Sequence, residues 1–82
     1  KISLCHAGGD SIIVTNRSAS QELFKFNLAT EALEWRSNAV IQPTAVMMLN
    51  TEYVLVTNWY STARVKVYIV NQTTGELKFG IL

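Results

Sequence analysis

With 82 residues, the chain amounts to one small domain or a piece of a longer protein. Apolar residues make up 49% of it and charged residues only 16%, which excludes a disordered segment. Seven Lys and Arg against six Asp and Glu leave a formal charge of +1 with the signs scattered, so no basic stripe faces a nucleic-acid backbone and no acidic tail is present.

The single cysteine, Cys5, excludes an internal disulfide framework and a cysteine-based zinc site within one chain. The longest apolar runs, residues 45–49 and 54–56, are far too short to span a membrane, and no membrane partner is expected. Residues 1–4 are too short for a signal peptide and no initiator Met is present, so the chain reads as a mature piece or an excised segment.

In chain order, residues 2–7 read as a strand, Gly8-Gly9-Asp10 as a turn and residues 11–15 as a second strand. After a loop around residues 17–21, residues 22–28 alternate, with Leu23, Lys25 and Asn27 on one face and Glu22, Phe24, Phe26 and Leu28 on the other. A turn and a fourth strand at residues 32–36 follow. Helix competes over residues 21–35, where Ala, Glu and Leu are frequent. Residues 45–49 form an apolar run suited to a strand buried on both faces. Beyond the turn at residues 50–52, residues 53–57 are β-branched and aromatic. A polar loop at residues 58–63 leads into residues 64–70, which place Val65, Val67 and Ile69 on one face and Arg64, Lys66 and Tyr68 on the other. Residues 71–75 form a turn with a glycine free to take positive φ, and residues 76–82 supply the last strand.

The second half repeats the first. Ile13-Val14-Thr15-Asn16 lies over Leu55-Val56-Thr57-Asn58 at an offset of 42 residues. Asn27-Leu28-Ala29-Thr30-Glu31-Ala32-Leu33 lies over Asn71-Gln72-Thr73-Thr74-Gly75-Glu76-Leu77 at an offset of 44, so the second unit has two extra residues in its middle loop. The match reads through residues 21–35 as strand. A unit of about 42 residues with four antiparallel strands is the signature of a β-propeller blade. The fold expected is therefore all-β, with blade 1 over about residues 1–42 and blade 2 over about residues 43–82. One twisted sheet cannot cover both of its apolar faces, so two blades alone leave two outer faces bare. Either further blades or further copies are required, and three copies closing a ring would make six blades.

Pro43-Thr44-Ala45-Val46, Tyr53-Val54-Leu55-Val56-Thr57-Asn58, Arg64-Val65-Lys66-Val67-Tyr68 and Thr74-Gly75-Glu76-Leu77 resemble the NHL-repeat and YVTN-type propeller families. Ala45 and Asn58 depart from the glycine and aspartate usual at those places. The Thr-Gly-Glu-Leu turn is also similar to blades of lactonase propellers. The resemblance implies blade geometry over nearly the whole chain. It does not imply a particular chemistry.

The candidate binding residues are Trp59, Tyr60, Arg64 and Arg17. Trp59 and Tyr60 lie in the second unit's lengthened loop, which has no hydrophobic counterpart in the first; they suit a contact surface or packing over the sheet edge. Arg64 and Arg17 flank the two equivalent loops, where they join such a surface or stay solvated. His6 is the only histidine and has no carboxylate constellation beside it, so it reads as a structural residue; only a ring of copies would gather several. Cys5 reads as a small core residue, and Trp35 and Phe79 as equivalent residues packing between blades. Gly8-Gly9 forms a hairpin turn rather than a phosphate-cradling loop. Asn16-Arg17-Ser18 and Asn71-Gln72-Thr73 fit the N-glycosylation pattern, at a frequency chance accounts for.

No catalytic residue, metal site or cofactor is indicated, and the leading expectation is a non-catalytic, protein-binding propeller segment. Its partner is a protein, the remaining blades, or copies of itself closing a ring. A carbohydrate-binding lectin closed by homo-oligomerisation, with a glycan on its loop aromatics, is the alternative of a different class. Part of a lactonase-like enzyme is the third.

Overall fold

The structure is a computed structural model describing residues 2–16, 22–40, 42–58 and 66–81. Among the described residues it is all-β, with two four-stranded antiparallel sheets in the orders β1-β2-β3-β4 and β5-β6-β7-β8. The first holds β1 (Ile2–His6), β2 (Ser11–Asn16), β3 (Glu22–Asn27) and β4 (Ala32–Ser37). The second holds β5 (Pro43–Met48), β6 (Tyr53–Asn58), β7 (Val67–Asn71) and β8 (Leu77–Ile81). The segment that competed as helix is β3 and β4.

The repeat seen in the sequence is reproduced in detail. Register shifts between Lys25 and Phe26 in one sheet and between Ile69 and Val70 in the other, which are equivalent positions. Asn27 Oδ1 accepts the N–H groups of Ala29 and Thr30 at 2.9 and 3.0 Å, and Asn71 Oδ1 accepts those of Thr73 and Thr74 at 2.8 and 3.1 Å. Both asparagines thus close the same side-chain turn. Each turn is pinned to the preceding hairpin by one backbone bond, Leu28 N–H to Asp10 O at 2.8 Å and Gln72 N–H to Glu52 O at 2.9 Å. The left-handed residue of the turn is Gly75 (φ 80°) in the second unit and Glu31 (φ 56°) in the first.

The sheets stack face to face. Strand pairing sets Ile13 opposite Lys25 and Thr15 opposite Leu23, so Cys5, Ile13, Thr15, Leu23, Lys25 and Trp35 share one face of β1–β4. Val46, Met48, Val54, Val56, Tyr68 and Val70 share one face of β5–β8. These two faces meet in a single core, joined by Val40 from the linker. Burying such aliphatic side chains stabilises the stack by about 1.5–3 kcal/mol each. Hydrogen bonds fix the relation between the sheets. Thr15 Oγ1 donates to Thr44 O at 3.2 Å, and Trp35 Nε1 donates to Gln72 O at 2.9 Å.

Three expectations for the strands need correction. Residues 45–49 are not buried on both faces: Val46 is buried, whereas Met47 is 56% exposed, because nothing among the described residues covers the far side of β5. Tyr68 does not sit on a polar outer face but lies buried in the core beside Val56, where its hydroxyl accepts from Asn58 Nδ2 at 3.3 Å. A tyrosine with a partner for its hydroxyl is as suited to a core as phenylalanine. Trp35 packs between the sheets as expected. Phe79 does not; it is 51% exposed on the uncovered side of β5–β8.

Candidate functional site

Each sheet has its two tight turns at one end and its middle connection at the other. The β2–β3 and β6–β7 connections leave the same end, since Asn16 and Asn58 lie opposite the starts of β1 and β5. The ends of β2 and β6 and the starts of β1 and β5 therefore share one rim, where Thr15 of β2 is bonded to Thr44 of β5. Trp59, Tyr60, Arg64 and Arg17 belong to these connections and lie outside the described residues. The backbone bond from Asn58 N–H to Lys66 O, 3.2 Å, closes the base of the second loop.

At the opposite end a groove of about 470 Å³ runs between the sheets, lined by His6, Gly8, Met48, Asn50, Thr51 and Gln72. His6, Asn50 and Gln72 hold the local fold with their polar groups. His6 Nε2 lies 2.8 Å from Gly9 O. Asn50 Oδ1 accepts from Glu52 and Tyr53 N–H, both at 2.8 Å, and Gln72 Nε2 donates to Thr51 O at 3.0 Å. Among the described residues no group of three His, Cys, Asp or Glu is close enough to hold a metal ion. His6 is exposed and holds its own turn. Cys5 packs half-buried against the core, and this burial pushes its thiol up from its ordinary value against a smaller opposing effect of a backbone hydrogen bond at Met48. A thiol so placed is a poor nucleophile.

The feature that sequence reading missed is a buried cation. Lys25 lies on the core side of β3, with Nζ 2.8 Å from Gln72 Oε1, 3.2 Å from Gln72 O and 3.7 Å from Glu34 Oε1. Ser11 Oγ donates to the other oxygen of Glu34. The equivalent of Lys25 in the second unit is Ile69, and that contrast is the only sign the sequence carried. Replacing Lys25 by Met leaves Gln72 Oε1 and Glu34 without their cation, and should cost about 1–3 kcal/mol. Lys25→Ile combined with Gln72→Leu should recover most of this, because the pair is then apolar on both sides. Urea unfolding of the two variants checks both expectations.

Among the described residues, apolar side chains are exposed on the outer faces of both sheets. On the outer face of β1–β4 lie Leu4 (60% exposed), Ile12, Phe24 and Phe26, with Leu28 (56% exposed) at the turn. On the outer face of β5–β8 lie Met47, Leu55, Phe79 and Ile81, with a depression of about 110 Å³ bounded by Ala45, Met47, Leu55 and Thr57. Single exposed apolar residues are ordinary on a protein surface. Contiguous apolar faces are the surfaces a protein covers by contact with another molecule. No family model, curated protein or solved structure matches this chain.

Proposed function

We propose that the chain is a two-blade segment of a β-propeller that serves as a non-catalytic, protein-binding scaffold. The observation that carries this reading is the mode of stacking. The face of β1–β4 in the core is the repeat equivalent of the outer face of β5–β8, and the core face of β5–β8 is equivalent to the outer face of β1–β4. Sheets joined in that sense, each by its front to the next one's back, form an array that continues in both directions. A β-propeller is such an array closed on itself.

Within this reading, recognition is carried by the segments that leave the shared rim, residues 17–21 and 59–65. Trp59 and Tyr60 are residue types that anchor protein contacts; Arg64 follows them in the same connection, and Arg17 belongs to the equivalent connection of the first unit. Affinity capture with the intact chain, compared with a Trp59→Ala/Tyr60→Ala variant, tests it. The expected result is at least a tenfold loss of the captured partner, with the strand signal of the variant unchanged by circular dichroism. Equal capture by both would remove this rim from the reading.

A further inference from the structure

The two outer faces are not merely apolar; each is fitted to the other. The core interface supplies the template, because it shows which residue of one unit meets which residue of the next. Lys25 meets Gln72, and Trp35 meets Gln72 and Gly75. The repeat maps Lys25 to Ile69, Trp35 to Phe79, Gln72 to Leu28 and Gly75 to Glu31. The corresponding contacts between the outer faces would therefore set Leu28 over the position of Ile69, which is only 5% exposed within one copy, and Phe79 on the turn holding Glu31.

Both contacts change in a matched way. Inside the chain a cation meets an amide; between the outer faces an isoleucine would meet a leucine. Had only one partner changed, a buried Lys would face a Leu, or an Ile would strip water from an unpaired amide. The second pair changes in size. Trp35 lies so close to Gly75 that a Cβ there would sit 2.6 Å from its Cε3 atom. The equivalent turn residue, Glu31, has a Cβ and keeps the left-handed backbone, and the ring that would face it is the smaller phenyl of Phe79. Thr57, the equivalent of Thr15, also carries a hydroxyl, and the carbonyl that would correspond to that of Thr44 is the one of Ile2.

We infer that a second copy of this chain is the occupant of these faces: β5–β8 of one copy docks on β1–β4 of the next as the two sheets dock within a copy. The contact is heterologous, so each copy uses one face toward each neighbour and the assembly is a ring when the rotation closes. This names one partner of the scaffold proposed above, and rests on its stacked-sheet geometry but not on its loop rim.

Sedimentation velocity of the 82-residue chain and of two single variants tests the inference. Phe79→Arg blocks only the β5–β8 face, and Leu4→Arg only the β1–β4 face. The wild type should sediment as a discrete oligomer, and each variant should associate at least a hundredfold more weakly. An equimolar mixture of the variants should form a heterodimer, because each supplies the face the other lacks. A monomeric wild type, or a mixture that stays monomeric while both variants are folded, would overturn the inference. Met47→Arg and Leu28→Arg, also at exposed positions, replace either variant if it fails to fold. A folded monomeric wild type that still captured a partner through Trp59 and Tyr60 would leave the scaffold reading standing and reject self-docking alone.

Discussion

Gly75→Ala should destabilise the chain by about 2–5 kcal/mol, a large share of what a domain this small possesses. Two costs combine. The backbone at Gly75 is left-handed (φ 80°), which costs an L-residue roughly 1–2 kcal/mol. The added Cβ would also lie 2.6 Å and 2.7 Å from Cε3 and Cδ2 of Trp35, and overpacking a fixed ring adds about 1–3 kcal/mol. Trp35 cannot easily yield, since its Nε1–H is held by Gln72 O at 2.9 Å and its ring packs on the core. Gly8→Ala isolates the first cost: its φ is 91°, but no atom lies within 4 Å of the place a Cβ would take, so it should lose only the backbone part. Trp35→Phe beside Gly75→Ala should couple favourably by about 1–2 kcal/mol, as the Phe79 and Glu31 positions foreshadow. Urea unfolding of the four variants, followed by circular dichroism, checks the set.

Leu23→Ala is expected to cost about 2–5 kcal/mol through lost burial and the cavity left behind. Leu23 is fully buried on the core face of β3, opposite Thr15 and in the same cluster as Ile13, Val54 and Val56. The cost should be the same at every protein concentration, because the site lies within one copy. Leu4→Ala is the informative contrast. Leu4 lies on the outer face of β1, so its loss should appear only where copies associate, as a stability that depends on concentration. Thermal unfolding at low and high micromolar concentration separates the two behaviours.

Strand positions and the doubled architecture were legible because period-two patterning and turn residues act locally. Asn27 and Asn71 close the same turn with their own neighbours, so comparing the two segments was enough to find it. Which face of each strand is covered was less legible. Tyr68 reads as the polar side of an alternation, yet it is buried, because its hydroxyl finds Asn58 and its ring joins Val56 of the neighbouring strand in the core. Met47 and Phe79 read as interior, and the chain alone leaves them outside. Lys25 was unreadable for a similar reason: its partners, Gln72 and Glu34, are brought to it by sheet stacking and strand pairing. The loop residues Trp59, Tyr60, Arg64 and Arg17 rest on residue type and position in the repeat, while the apolar outer faces needed three-dimensional pairing to be assigned.

Static light scattering on the 82-residue chain, with its fold verified by circular dichroism, tests the incompleteness of a single copy most directly. The stacking described above predicts one discrete mass, a whole-number multiple of 9.2 kDa greater than one. A well-folded species of 9.2 kDa that persists through the high micromolar range would contradict it.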